Sequence, residues 1–376
     1  IRGFDHGDLL IVRAPKPALM ITTSRDMFNI QGVLETEAEV ARVYKAYGSM
    51  ENFSRTEDDA PHASTKKNRE AMYAFFRRHL NNPGSIADET IEQLTAEELR
   101  VTETGQISTS LKLKGETVFS LNRKEAELRL KELNEARSNA DVFSNGLLAS
   151  AKKMIGYLEP SADDQPVFTG RIRRDKYAIE KYFIRGEGDY VIPYLLFRPS
   201  LWNNKAILYL NPAGKSAEAD TDGEIERLVM QGMAVLAPDL PGYGEIGPGS
   251  FRGDAFFDGV SHNLWYASIL AGRSITGIHT GDIVKLIRIM KKECPYAEII
   301  GFARKEMTPV LLHSALIDKS ITAMILAEPY SSFRSIVMNR FYNTKFILSA
   351  VPAGLTAYDL PDLVAAFAPR KLFIAV

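Results

Sequence analysis

Apolar and polar positions change their period several times along this chain. Residues 17–23 (PALMITT) make a short apolar run, which predicts a buried strand. Residues 34–47 (LETEAEVARVYKAY) space their apolar positions for one face of a helix. FSRTEDDAPH begins like a strand and runs into an acidic loop. Residues 67–80 place Met72, Phe75, Phe76 and Leu80 on one helical face, and Asn81-Asn82-Pro83-Gly84 stops that helix. Such an apolar face and strand predict that the segment packs on a sheet, because exposing each large side chain costs about 1.5–3 kcal/mol.

The pattern then loosens. Residues 85–165 are rich in Glu, Lys, Arg, Ala and Leu, and RKEAELRLKELNEAR (123–137) has helical spacing with its charges on a solvated face. This reads as a connecting, partly helical region. From about Arg171 the period shortens again. KYAIEKYFIR and YVIPYLLFRP alternate like paired strands, and KAILYL is an apolar strand ending in the small-residue loop NPAG. A helix (EIERLVMQG), a buried strand (MAVLAPDLPGYGE), a helix (IHTGDIVKLIRIMKK), a strand–turn–helix (AEIIGFARKEMTPVLLHSALI) and a strand (ITAMILAEPY) follow. Strands alternating with helices predict a mostly parallel sheet covered on both faces. The β-rich entry followed by βαβα is the order of an α/β hydrolase.

Residues 4–19 (FDHGDLLIVRAPKPAL) and 358–373 (YDLPDLVAAFAPRKLF) form a repeat with five identities in sixteen ungapped positions. Asp5, Asp8, Leu9, Ala14 and Pro15 recur as Asp359, Asp362, Leu363, Ala368 and Pro369. The repeat predicts one period of a tandem of two α/β-hydrolase domains. Residues 1–84 would be the end of the first, 85–165 a connection, and 166–376 a second domain that is incomplete at its end. A circularly permuted arrangement, with 1–84 completing the second domain's sheet, uses the same elements. In that arrangement residues 17–23 would pair beside the closing strand of 166–376 and carry His62 toward Lys305.

The fold orders its triad as Ser, acid, His, with the acid and histidine in loops after late strands. Asp26 follows the apolar strand in ALMITTSRDMF, and His62 follows the next strand in EDDAPH. The histidine takes the serine proton, and the acid fixes its tautomer and stabilises the imidazolium. Taken singly, Asp26 also reads as a helix N-cap and His62 as a surface loop residue. In the later domain, aligning strand, turn and helix puts Lys305 at the serine of G-x-S-x-G, with Ala303 and Met307 in place of the glycines. That reads as a degenerate, noncatalytic elbow. Pro212 and Ala213, in LNPAG, occupy the place of an oxyanion-hole loop, and Asp239, Gly242 and Gly244 mark a tight turn. Nothing in the pattern orients Ser261, His262 or His279.

VRAPKPALMITTSRDMF and EDDAPHASTKKNREAMYAFFRRHL resemble the C-terminal part of bacterial acetylxylan esterase-like α/β hydrolases. The remainder resembles their two-domain members. The resemblance implies a carboxylic-ester hydrolase acting on acylated plant polysaccharide. Asp26 and His62 would match the acid and base, and the serine would lie before Ile1. It also implies an exported protein. A serine peptidase on the same fold and a noncatalytic binding module are the alternatives.

Composition narrows the classes. Lys and Arg number 46 against 47 Asp and Glu, so no net charge points to nucleic acid. Cys294 is the only cysteine, which leaves no intrachain disulfide and no thiolate metal cluster. No apolar run reaches the roughly 18 residues of a membrane span. No Walker loop, H-E-x-x-H or dinucleotide fingerprint is present, so neither a metal nor another cofactor is expected.

Overall fold

The computed structural model describes residues 4–111, 115–247, 256–257 and 259–376. The chain divides into two compact units, one ending at Leu113 and one beginning at Lys114.

The first unit is built on a βαβ crossover. Helix α1 (His6–Ile11) precedes strand β1 (Ala18–Thr23), helix α2 (Ile30–Ala46), strand β2 (Phe53–Asp58), helix α3 (Lys66–His79) and the short helix α4 (Ile107–Ser110). β1 and β2 pair in parallel from Ala18 opposite Phe53 to Thr23 opposite Asp58. A parallel pair needs a long crossover, which α2 supplies. Ala18, Val40, Tyr44 and Phe53 form the core, with Leu10, Ile11 and Met20 against it. The Tyr44 ring stacks on Phe53 at 5.2 Å, and its hydroxyl donates to the Lys16 carbonyl at 2.6 Å.

Two expectations are corrected here. The pairing expected for residues 17–23 is the first: β1 pairs in parallel with β2 and with no other strand among the described residues. The second concerns α3, which packs on β1 and β2 with Met72 and Phe75 partly buried but leaves Phe76 51% and the following Leu80 70% exposed. A sheet of two strands is too narrow to cover helices on every side.

The second unit holds an eight-stranded sheet. Helices α5 (Val118–Arg137) and α6 (Ala140–Ile155) lead into strands β3 (Val167–Arg173), β4 (Tyr177–Arg185), β5 (Val191–Pro199) and β6 (Lys205–Leu210). Helix α7 (Glu224–Met230), strand β7 (Ala234–Pro238), the small hairpin β8 (Phe256–Phe257) and β9 (Val260–Ser261), and helices α8 (His262–Leu270) and α9 (Ile275–Glu293) come next. Strand β10 (Glu298–Arg304), helix α10 (Thr308–Ile317), strand β11 (Ile321–Ala327), helices α11 (Phe333–Val337) and α12 (Leu360–Phe367), and strand β12 (Lys371–Ala375) complete it. The spatial order is β12-β11-β10-β6-β7-β5-β4-β3. The pairs from β12 to β7 are parallel and those from β7 to β3 antiparallel.

Both faces of the central strands are buried. Along β6, Ala206, Leu208 and Leu210 face one core, while Ile207 and Tyr209 face the other. This is the period-2 alternation of a strand that helices cover on both sides. The first core takes Leu147, Ala151 and Ile155 of α6, so part of the stretch read as connecting belongs structurally to the second unit. α5 buries Ala126, Leu130 and Leu133 and carries exposed ion pairs such as Arg123–Glu127.

The repeat has a structural counterpart. Asp5 caps α1 while Asp8 accepts from the Asp5 amide at 2.8 Å, and Asp359 caps α12 while Asp362 accepts from the Asp359 amide at 2.7 Å. Each helix is followed by a cis Ala–Pro bond and a strand in a parallel pair. The recurring aspartates are therefore reciprocal helix caps.

Candidate active site

Parallel pairing brings the ends of β1 and β2 to the same edge, and the two loops that leave them are tied together. The Ser24 amide donates to the Asp58 carbonyl at 3.0 Å and the Arg25 amide to the Ala60 carbonyl at 3.1 Å. The Arg25 guanidinium reaches the Asp59 carboxylate at 2.8 Å, and Ser24 Oγ donates to Glu57 at 2.7 Å. The buried Asn68 of α3 donates from Nδ2 to the Thr22 carbonyl at 2.9 Å.

Within that frame Asp26 and His62 meet. His62 Nδ1 lies 3.0 Å from both carboxylate oxygens of Asp26. Asp26 is fixed from behind: Thr23 Oγ1 donates to Oδ2 at 2.7 Å, and the Phe28 amide donates to Oδ1 at 3.1 Å. The Thr23 hydroxyl and then the Phe28 amide hold its pKa down at about 2, with His62 adding to the effect. A carboxylate that accepts several hydrogen bonds prefers its charged form. Asp26 is not the cap of α2, because Asn29 is. His62 stands 60% exposed with the edge of the Phe28 ring against it. Its Nε2 has no protein partner among the described residues. A histidine with Nδ1 on a fixed carboxylate and Nε2 open can accept a proton at Nε2 and hold the resulting imidazolium.

In the second unit a tight turn joins β10 to α10. Lys305 lies between β10 and α10 with φ +50°, a left-handed backbone that lysine seldom adopts. Its ammonium is 3.4 Å from Glu328, which follows β11 with φ +51°. Arg304 bridges Glu224 at 3.2 Å and Glu328 at 3.3 Å. Pro212 and Ala213 line the same cleft, but proline offers no N–H and the Ala213 amide already donates to Asn211 Oδ1 at 3.0 Å.

The other singled-out residues do structural work. Asp239 is buried and accepts from the Lys215 ammonium and amide, both at 2.6 Å, and from the Glu245 amide at 2.9 Å. Gly244 has φ +56°, and a Cβ there would meet Asp239 Oδ1 at 2.0 Å. The tight-turn reading of this loop therefore describes its geometry. The Lys215–Asp239 pair was not anticipated, and its one signal in the sequence is a carboxylate inside the apolar run AVLAPDL. Ser261 caps α8. His279 is buried, donates from Nε2 to the Pro241 carbonyl at 2.7 Å, and has its pKa pushed down to about 4 by burial. Among the described residues no group of three His, Cys, Asp or Glu could hold a metal ion, and no helix is long and apolar enough to cross a membrane.

No family model matches the chain, and no curated protein matches it. Solved structures do. A Bacteroides fragilis protein described as a candidate acetyl xylan esterase superposes with a TM-score of 0.55 at 16% identity, over 75% of this chain and 79% of its own. A methylesterase aligns over 67% of this chain and 55% of its own, at 16% identity and a TM-score of 0.49. A glucuronoyl esterase from Solibacter usitatus aligns over 61% and 72%, at 12% identity and a TM-score of 0.42. At such identities the likeness concerns the fold, and the argument rests on the first of these structures. The chain has the mixed, helix-flanked sheet of esterases of the α/β-hydrolase type.

Proposed function

We propose that the chain is part of a carboxylic-ester hydrolase that removes small acyl groups from plant-type polysaccharide, with Asp26 and His62 as the acid and base of a Ser-His-Asp triad. The observation that carries this reading is the Asp26–His62 pair: Nδ1 is held at 3.0 Å while Nε2 is left free for a hydroxyl. In that reading His62 takes the serine proton at Nε2 as the hydroxyl attacks the ester carbonyl. The proton then passes to the departing sugar hydroxyl, leaving an acyl-enzyme. Water, deprotonated by His62, releases the acid and restores the serine. In that reading the serine would come from a segment upstream of Ile1. β1 offers a free edge to such a segment, since it has one strand partner among the described residues. The choice of a glycan ester leans on the esterase fold.

The second unit is proposed to be noncatalytic, because Lys305 takes the place of the serine. A fluorophosphonate that labels activated serines separates these roles. A protein carrying the proposed serine segment should be labelled there, and residues 1–376 alone should remain unlabelled. Stoichiometric labelling of any serine among residues 115–376 would overturn the assignment.

A further inference from the structure

The second unit keeps a cleft of about 720 Å³ at the carboxyl ends of its central strands. Asn211 after β6, Tyr243 after β7, Lys305 after β10, and Glu328 and Tyr330 after β11 line it, with Asn343 opposite. Open α/β sheets bind ligands at this end of their strands. Two features of the cleft bear on what it could hold. Lys305 and Glu328 are both held at positive φ, and their side chains form an ion pair at 3.4 Å in the cleft lining. The turn from β10 to α10 accounts for the first of these, since a hydrolase elbow is strained there, and the strain at Glu328 is the one that points toward function. The hydroxyl of Tyr243, a residue only 8% exposed on the cleft wall, has no hydrogen-bond partner among the described residues, although buried hydroxyls usually have one.

We infer that this cleft binds a neutral sugar unit of a polysaccharide without turning it over. Glu328 is shared by Lys305 at 3.4 Å and Arg304 at 3.3 Å, and Glu306 and Lys345 also line the cleft, so charges of both signs are interspersed in it. The Lys305–Glu328 pair presents an N–H donor and a carboxylate acceptor side by side at 3.4 Å. Adjacent sugar hydroxyls are spaced to engage both at once, one accepting from the ammonium and its neighbour donating to the carboxylate. Charge-assisted hydrogen bonds of this kind are the strong ones. Asn343 spends its Oδ1 on the Lys345 amide and leaves its Nδ2 as a further donor, and Tyr330 also lines the cleft. The choice of a sugar rests on the proposed polysaccharide esterase reading, but the site itself is separate from Asp26 and His62.

Isothermal titration of the whole chain with xylotetraose and, separately, with a galacturonate tetramer tests this. The expected result is saturable binding of xylotetraose with a Kd of about 1 mM or tighter. Glu328→Gln and Lys305→Met should each weaken it about tenfold, with an unchanged melting temperature, while His62→Ala should leave it unaltered. No saturable binding of either probe, binding of the acidic probe alone, or xylotetraose binding untouched by both cleft variants would overturn the inference. The esterase reading is judged separately, by the effect of His62→Ala on acyl release in the natural protein.

Discussion

His62 Nδ1 sits 3.0 Å from each carboxylate oxygen of Asp26, although 36 residues of chain separate the two. The contact follows from β1 and β2 running parallel in register, so that the loops after both strands emerge at one edge. The acid is held by its own loop, through Thr23 and the Phe28 amide, before the histidine reaches it.

That order predicts a titration. Asp26 should titrate near pH 2 in the folded protein, below its ordinary value of 3.8. A depressed carboxylate favours the folded state above its unfolded pKa, and this contribution is lost as pH falls toward about 2. Thr23→Val removes the largest cause and should raise the Asp26 midpoint toward 3.8, as read by carbon NMR of the side-chain carboxyl. A midpoint unmoved by Thr23→Val would mean that other groups hold the charge.

Gly244→Ala should destabilise the second unit by roughly 3 kcal/mol, the upper range for overpacking. The new Cβ would fall 2.0 Å from Asp239 Oδ1, and that carboxylate is clamped by Lys215 and the Glu245 amide and has little freedom to move away. Chemical denaturation followed by tryptophan fluorescence measures this. A loss below about 0.5 kcal/mol, the level of an ordinary surface substitution, would show the turn to be adaptable.

Lys305→Gly should leave stability unchanged or raise it by up to about 1 kcal/mol. Glycine accepts φ +50° without the penalty that a Cβ brings, and the half-exposed pair with Glu328 contributes only about 0–1 kcal/mol. Thermal unfolding checks this. A clear fall in the midpoint would mean that Lys305 is kept for stability and not for what it binds.

Much of this was legible in periodicity. The strand read at 17–23 is β1 at Ala18–Thr23, and the helix read at 67–80 is α3 at Lys66–His79. The alternation in KYAIEKYFIR and YVIPYLLFRP became the antiparallel pair β4–β5. The repeated aspartates were legible as a repeat because capping boxes have a fixed three-residue spacing, which Asp5–Asp8 and Asp359–Asp362 share. What stayed hidden was nonlocal. No local signal says which strand will sit beside β1, nor that Phe76 and Leu80 of an apolar helix face will stand exposed. The left-handed backbone at Lys305 and Glu328 was equally silent, because neither residue type advertises positive φ as glycine does. The Asp26–His62 contact was legible because acid and base each follow a strand, and parallel strands end together.

The most direct measurement is acetate release from acetylated xylan by the natural protein, compared with its His62→Ala variant at equal folded concentration. If His62 is the base of the triad, turnover falls by at least about 10³-fold, because the serine then has no acceptor for its proton. Turnover within about twofold of the unsubstituted protein, which is no loss of transition-state stabilisation, would contradict the account.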